Sequence, residues 1–385
     1  MSAPDPSSFP LPHDWQDAIL VGRMDLGEGP TPVVVKDGRV FDVSDRAPTV
    51  SLLLEKWDGT IPQGRPLGDI NDLGLTRAWD GGKGRVKLLA PVDLQCIKAC
   101  GVTFAVSAIE RVIEERAKGV PGHARTIRDE LAAKIGTDIK SVVPGSPEAA
   151  KLKEALIAEG LWSQYLEVAI GPDAEVFTKA PPLSAVGWGD HIGVRSQSTW
   201  NNPEPEVVVV VDRAGRTLGA TLGNDVNLRD YEGRSALLLG EAKDNNASTA
   251  LGPFIRLFDD KFTMDHVRRA VVELEIVGAG NYRLEGRSAM TEISRDPLDL
   301  VNQTMAEHQY PDGFVLFLGT LFAPTQDRDQ PGMGFTHKQG DVVRISTPTL
   351  GVLENRVTTS KAAPPWAFGI ADLMKNLVRR GLISA

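Results

Sequence analysis

Short apolar blocks at strand-like spacing fill the two ends of this chain, and a stretch with helical spacing separates them. From Ala18 to Val43 the pattern predicts strands: Ile19-Leu-Val-Gly-Arg, then Val33-Val-Val-Lys-Asp-Gly-Arg-Val, where Asp37-Gly38 is a strong hairpin signal. Ala47-Pro-Thr-Val-Ser-Leu-Leu-Leu reads as the start of a short helix. Together these predict a small, largely β N-terminal domain, residues 1–85, whose ordered part runs to about Trp79. Asp80-Gly-Gly-Lys-Gly then reads as a flexible connection, and Lys87-Leu-Leu-Ala-Pro-Val-Asp resumes order.

Between Val106 and Leu166 the periodicity changes. Ala108-Ile-Glu-Arg-Val-Ile-Glu-Glu-Arg, Ile127-Arg-Asp-Glu-Leu-Ala-Ala-Lys-Ile and Glu148-Ala-Ala-Lys-Leu-Lys-Glu-Ala-Leu repeat apolar residues at helical spacing, with breaks at Pro121 and Gly145-Ser-Pro147. They predict a helical insertion over about 107–165, placed either as a cap or as a solvated face. After Gly171 strands return: Val207 to Val211, Leu218 to Leu222, Val271 to Val277, Phe314 to Leu318, Val342 to Ser346 and Leu353 to Thr358. Strands divided by Gly, Asp and Pro turns, with few helices between them, predict an α+β fold with a mixed or antiparallel sheet, not alternating βαβ units. Residues 86–385 form the expected catalytic domain. Neither GxGxxG after a strand nor GxxxxGK[ST] occurs, so nucleotide binding has no support.

Composition narrows the function classes. The 385 residues carry a net charge of -9, which argues against general affinity for nucleic acid or an anionic membrane. No stretch reaches the roughly 20 apolar residues that a membrane span needs, and the start, Met1-Ser-Ala-Pro-Asp-Pro-Ser-Ser, lacks signal-peptide character. A cytoplasmic protein is expected. Cys96 and Cys100 do not match zinc or redox spacing and read as buried thiols.

The chemistry concentrates around Glu204 and Glu206 in Asn202-Pro-Glu-Pro-Glu-Val-Val-Val and Asp225 in Gly223-Asn-Asp-Val-Asn-Leu-Arg-Asp. Side chains at i and i+2 of a strand share a face, so the two glutamates can converge on one point. Three carboxylates of this kind suit a hard divalent ion: magnesium, manganese or calcium. A solvated strand edge followed by a turn aspartate fits the same motif equally well. The run of five valines, Val207 to Val211, raises the metal reading, because polar groups beside a buried strand must find partners. None of the six histidines has a partner at ligand spacing, which disfavours zinc. His308 and His337 read as loop residues within reach of substrate hydroxyls, although satisfied loop histidines are commoner.

Several further pieces occur in a fixed order: Phe177-Thr-Lys-Ala, Glu241-Ala-Lys-Asp, Leu251-Gly-Pro, Leu318-Gly-Thr, Gly340-Asp-Val-Val-Arg-Ile and Leu353-Glu-Asn-Arg-Val. With the acidic motifs they resemble the fumarylacetoacetate hydrolase family from Leu88 onward. The resemblance implies a mixed β-sheet roll, a divalent metal, usually magnesium, held by Glu204, Glu206 and Asp225, and a homodimer or homotetramer. Leu11-Pro-His-Asp-Trp and Leu161-Trp-Ser-Gln-Tyr-Leu-Glu-Val-Ala-Ile-Gly-Pro-Asp-Ala-Glu are similar to the family's 2-keto-3-deoxy-D-xylonate dehydratases. That similarity implies loss of water from a small 2-keto-3-deoxy sugar acid, through a metal-stabilised enolate, to give 2,5-dioxopentanoate. The alternatives are the epimeric pentonate as substrate, or a hydrolase or decarboxylase of 2-keto or 2,4-diketo acids. A calcium-stabilised module without catalysis is a third.

Family hydrolases carry a histidine and glutamate dyad in Asn-Tyr-x-x-His-x-x-Glu. The matching segment here is Thr103-Phe-Ala-Val-Ser-Ala-Ile-Glu110, with Ser107 in the histidine's place. Serine without a base partner cannot deprotonate water at neutral pH, which argues against hydrolysis. The resemblance further implies Glu175 and Lys243 as the catalytic pair, in either order of base and orienting group. It also implies substrate contacts at Ser107, Glu110 and Thr320. Arg229 and Asp230 are expected to support Asp225. Glu232 replaces a common glutamine, which bears on substrate contact.

Overall fold

The computed structural model describes residues 10–81, 86–135, 142–322, 324 and 326–384, and for 129–135 the backbone alone. The extreme N-terminus and most of the connection after Asp80 lie outside these residues. In chain order the strands are β1 Leu20–Asp25, β2 Pro30–Lys36, β3 Arg39–Asp42, β4 Arg65–Asp69, β5 Lys87–Leu89, β6 Cys96–Gly101, β7 Glu175–Ala180, β8 His191–Val194 and β9 Asn201–Asn202. They continue as β10 Pro205–Val211, β11 Thr217–Asp225, β12 Asn227–Leu228, β13 Thr249–Leu257, β14 Val271–Val277, β15 Arg283–Ala289, β16 Phe314–Phe317, β17 Val342–Thr347 and β18 Gly351–Thr359. The helices are α1 Val50–Glu55, α2 Ala105–Arg116, α3 Pro121–Ile135, α4 Pro147–Ala158, α5 Gln164–Ile170, α6 Arg229–Glu232, α7 Leu239–Lys243, α8 Met264–Arg268, α9 Pro297–Met305 and α10 Ile370–Arg379. No described helix is long and apolar enough to cross a membrane.

One sheet runs β4-β3-β2-β1-β13-β11-β10-β16-β6-β7, with β5 on β1; a second runs β15-β14-β17-β18-β8. Pairing is antiparallel except for β16 with β6 and β18 with β8, which makes both sheets mixed, as an α+β fold requires. The valine run of β10 is buried on both faces. Val207, Val209 and Val211 join one core with Phe254 and Leu222, while Val208 and Val210 join another with Ile255 and Phe317. Two-sided burial explains why this antiparallel strand is continuously apolar instead of alternating.

The boundary expected at residue 85 falls inside the larger sheet. The β2–β3 hairpin closes at Asp37 and Gly38, both with positive φ as the Asp-Gly signal requires. Yet β1 pairs with β13 at Leu20↔Arg256 and Val21↔Ile255, so the N-terminal strands extend the sheet that carries β10 and β11. Such distant pairing leaves no trace in the local pattern. In the helical insertion, the prolines expected to interrupt helices begin them. Pro121 and Pro147 are the first residues of α3 and α4, where a missing N–H costs nothing. Val112, Ile113, Leu156, Leu166 and Ile170 bury against one another and Trp200, so this block has its own core beside the larger sheet.

Candidate active site

Glu204 precedes β10, Glu206 lies on it, and Asp225 ends the neighbouring β11. The register Pro205↔Asn224 and Glu206↔Gly223 sets the two strand ends side by side, and the Asp225 amide donates to the Glu204 carbonyl at 3.1 Å. All three side chains are buried, with one carboxylate oxygen from each lying within 4.8 Å of the other two. The approach of β11 to β10 depends on Gly223, because a Cβ there would lie 2.2 Å from Cε1 of Phe317. The Gly319 amide donates to Oε2 of Glu206 at 2.6 Å. Its φ of +88° and a Thr103 hydroxyl 2.0 Å from any added Cβ make glycine obligatory at that turn.

Cations hold the outer edges of the trio. Lys243 Nζ donates to Oε2 of Glu204 at 2.6 Å and Oδ2 of Asp225 at 3.1 Å, and lies 3.5 Å from Oε1 of Glu232. Arg111 reaches Oε1 of Glu204 at 2.7 Å. Lys179 Nζ is 3.1 Å from Oδ1 of Asp225, yet that oxygen receives no aligned hydrogen bond, so the contact is one of charge alone. Burial, with Asp225 and Glu204 nearby, pushes the Glu206 carboxyl well above the usual range; Lys243 and the Gly319 amide offset this only in part. Around the cavity seven carboxylates (Glu110, Glu114, Glu175, Glu204, Glu206, Asp225 and Glu232) meet five cations, Arg111, Arg128, Arg229, Lys179 and Lys243. With every carboxylate ionised the missing positive charge would be two, and the all-oxygen donor set suits a hard divalent ion such as magnesium. The residues therefore fit the group.

The remaining walls come from β6, β7, α2, α6 and the turn after β16. Every sequence-predicted site residue lines this one cavity: Ser107, Glu110, Glu175, Glu204, Glu206, Asp225, Lys243 and Thr320. Ser107 donates its hydroxyl to the Phe104 carbonyl at 2.8 Å. Glu110 takes Arg128 through both oxygens, at 2.9 and 2.7 Å, and Arg229 at 3.0 Å. Glu175 is different, since its half-buried carboxylate makes no hydrogen bond or ion pair among the described residues. Burial raises its carboxyl above the usual range, against the pull of Arg111 and Lys243. Gly101 makes room for it, because a Cβ there would sit 2.0 Å from Oε2 of Glu175. The Thr320 hydroxyl accepts from the Phe322 amide at 3.1 Å.

Arg229 and Asp230 do not support Asp225. Arg229 turns towards α2, bonding Glu114 at 2.6 Å as well as Glu110, while Asp230 accepts from Ser198 Oγ and the Thr199 amide. The support comes from Lys179 and Lys243. Sequence reasoning also missed Arg111, which bridges Glu114, Glu204 and Glu232 at 2.8, 2.7 and 2.5 Å. Burial pushes the Glu232 carboxyl up to about 7, with Arg111 and Lys243 pulling it back. Signals for two of these existed: Lys179 follows Glu175 and Phe177 at strand period two, and Arg111 and Glu114 share a helix face with Ser107. His337 lies outside the cavity, buried near Asp341, and His308 bonds the Gln309 carbonyl.

Comparison with known proteins bears on this arrangement. The model of the fumarylacetoacetate (FAA) hydrolase C-terminal family matches residues 163–358. A 2-dehydro-3-deoxy-D-arabinonate dehydratase of Saccharolobus solfataricus is 34% identical over 182 residues, covering 46% of this chain and 57% of that protein. The chain thus aligns with little more than half the length of that relative. A probable 2-keto-3-deoxyxylonate dehydratase of Haloferax volcanii is 30% identical over 256 residues, covering 61% of this chain and 84% of that protein. Among solved structures, a 2-keto-3-deoxy-D-arabinonate dehydratase complexed with magnesium and 2,5-dioxopentanoate superposes with a TM-score of 0.64 at 22% identity, covering 88% of this chain and 99% of the other. A fumarylacetoacetate hydrolase from Exiguobacterium antarcticum gives 0.53 at 16% identity, covering 89% and 100%. These two likenesses show the shared fold.

Proposed function

The chain belongs to the fumarylacetoacetate hydrolase family, and we propose that within it the protein is a divalent-metal-dependent dehydratase converting 2-keto-3-deoxy-D-xylonate to 2,5-dioxopentanoate, a step of oxidative pentose catabolism. Both aligned relatives bear names of this reaction class. Once C2 is a ketone and C3 lacks its hydroxyl, C4 is the one stereocentre left. The D-xylonate and D-arabinonate names therefore describe one compound, and the form to be distinguished from it is its enantiomer, the L form at C4.

The observation that carries the reading is the contrast between two glutamates lining the one cavity. Glu110 stands where a family hydrolase has half of its water-activating dyad, but it is occupied by Arg128 and Arg229, and Ser107 spends its proton on a backbone carbonyl. Glu175 is unengaged and raised in pKa, as a general base needs. The site thus favours taking a proton from substrate over activating water.

Glu204, Glu206 and Asp225 would hold magnesium, which would supply Lewis acidity to a bound 2-keto acid. Glu175 removes a C3 proton, and the electron pair left behind expels the C4 hydroxyl. Returning the proton to that hydroxyl releases water. Proton shifts from C5 to C3, and from the resulting enol to C4, then give the aldehyde. Lys243 donates to Glu204 and Asp225 and lies 3.5 Å from Glu232, so it acts as a fixed ammonium whose remaining proton orients the keto acid, and the base role falls to Glu175. Thr320, whose oxygen accepts from an amide, donates its proton to no described residue, which leaves it for the substrate carboxylate. Ser107 and Glu110 shape the wall that meets the substrate hydroxyls. Manganese or calcium, with the same oxygen preference, substitutes for magnesium.

The deciding assay supplies magnesium with the D and L forms of 2-keto-3-deoxy-pentonate and with an acylpyruvate. Formation of 2,5-dioxopentanoate from the D form is expected. Cleavage of the acylpyruvate without dehydration of either pentonate would overturn the reading.

A further inference from the structure

A second cavity, of about 300 Å³, lies between β1, β5, the segment 183–191 and the segment 364–368, and shares no lining residue with the catalytic one. At its base is Arg23. Residues 21 and 23 of β1 point to the face opposite Leu20 and Met24, the face of the sheet's second core, which holds Val21, Ala90 and Ala185, and Leu183 joins the last two in the cavity wall. Arg23 is 5% exposed, and both Nε and one terminal nitrogen are buried without a hydrogen-bond partner. No acid lies within ion-pair distance among the described residues. Asp93, the carboxylate whose field acts on it, is committed to the amides of Val50, Ser51 and Leu94.

The two acids in the cavity wall are engaged as well. Asp25 accepts from the Gly27 amide at 2.9 Å, and Asp190 holds Lys87 at 2.8 Å and the Gly187 amide at 3.2 Å. Among the described residues Arg23 is left without a compensating charge. A buried cation without a counter-ion loses its solvation with nothing in return, and chains rarely retain one unless something completes it. His191 also lines this cavity, and its buried Nδ1 has no hydrogen-bond partner among the described residues. The outer wall is apolar and aromatic: Leu183, Trp366 and Phe368, with Trp366 nearly half exposed.

We propose that this cavity binds a small organic carboxylate, its charge on the guanidinium of Arg23 and its apolar body against Trp366 and Phe368. A hydrogen bond between guanidinium and carboxylate is charge-assisted, and a volume of this order holds a ligand of drug-fragment size. The site is separate from the metal cluster, so the inference stands whatever the catalytic cavity does.

Calorimetric titration of the full-length, EDTA-treated protein tests it with benzoate as the probe. Saturable binding at one site per chain is expected, weakened at least tenfold by Arg23→Met and several-fold by Trp366→Ala, and untouched by Glu206→Gln. Benzamide, the neutral isostere, should not bind. Should Arg23→Met fail to fold, Trp366→Ala on the exposed rim and the benzamide comparison still decide. Equal binding by wild type and Arg23→Met, or equal binding of benzamide, overturns the proposal. So does inorganic phosphate binding in the absence of benzoate binding. Concentration-dependent self-association lost in Arg23→Met, with no benzoate binding, assigns the guanidinium to a partner chain's carboxylate and likewise overturns it.

Discussion

In the corner beneath β17, Arg328 grips Asp341 through two bonds of 2.5 and 2.8 Å, and the Lys338 amide adds a third to the same carboxylate. His337, buried beside them, is held neutral by its burial. One cation meets one anion, and the cluster closes on itself. Around Glu204, Glu206 and Asp225 the rule is reversed: charges are as deeply buried, but acids exceed cations by two. Folding alone gives no reason to concentrate unpaired carboxylates, since each loses solvation and repels its neighbours. The comparison separates buried charge that serves the fold from buried charge that waits for a ligand.

The largest effect expected from breaking this contrast is a pair of isosteric substitutions with opposite outcomes. Glu206→Gln should abolish dehydration, lowering kcat/KM by roughly a thousandfold or more, as the loss of a metal ligand or an equivalent electrostatic group does. Its melting temperature in EDTA should equal or exceed that of wild type, because a repelled carboxylate is gone. Asp341→Asn should instead leave the catalytic groups in place and cost about 3–5 kcal/mol in urea unfolding, the usual penalty for stranding one member of a buried ion pair. A destabilised Glu206→Gln, or a neutral Asp341→Asn, would dissolve the distinction. Magnesium sharpens it further: at a hundredfold excess over Kd it should stabilise wild type by about 2.7 kcal/mol and Glu206→Gln by far less.

How much of this was visible in the chain follows from which contacts are local. Glu204 and Glu206 were legible because strand parity is a fixed property of the backbone, and the valines beside them marked burial. The strands after Gly171 were legible for the same reason. The pairing of β1 with β13 was not, since it joins residues more than two hundred positions apart. Arg229 differs from its expected role for an instructive reason: it is four residues from Asp225, yet it is the first residue of helix α6, and its side chain turns to α2. Arg111 was hidden because a charged helix face is usually a solvated one. Its real setting depends on α2 lying across the ends of β10 and β11, a tertiary fact.

Gly101→Ala gives a smaller and more selective effect. The added methyl falls 2.0 Å from Oε2 of Glu175, so the carboxylate must swing away while the acidic trio stays where it is. A displacement of this order costs roughly a hundredfold in rate when the displaced group is the base. Turnover should therefore fall towards that of Glu175→Gln, with magnesium affinity by calorimetry unchanged. Equal losses in both measurements would show that Glu175 belongs to the metal cluster and not to proton transfer.

The smallest effect is in the pH dependence of stability in metal-free protein, and here the two clusters should differ in sign. The Arg328 guanidinium, the Lys338 amide and His337 outweigh burial and hold the Asp341 carboxyl well below the usual range. A depressed carboxyl stabilises fully above its unfolded value of about 3.9, and the contribution fades as pH falls through the folded value. Glu206 is raised instead, so its folded form takes up a proton while the unfolded form stays ionised, and stability rises as pH is lowered towards about 4.3. Unfolding free energies measured from neutrality downward in EDTA should thus climb first and then drop. Glu206→Gln should remove the climb, and Asp341→Asn should remove the drop. With magnesium bound the climb should vanish in wild type too, because the ion and the proton compete for the same oxygens, whereas the Asp341 limb should not move.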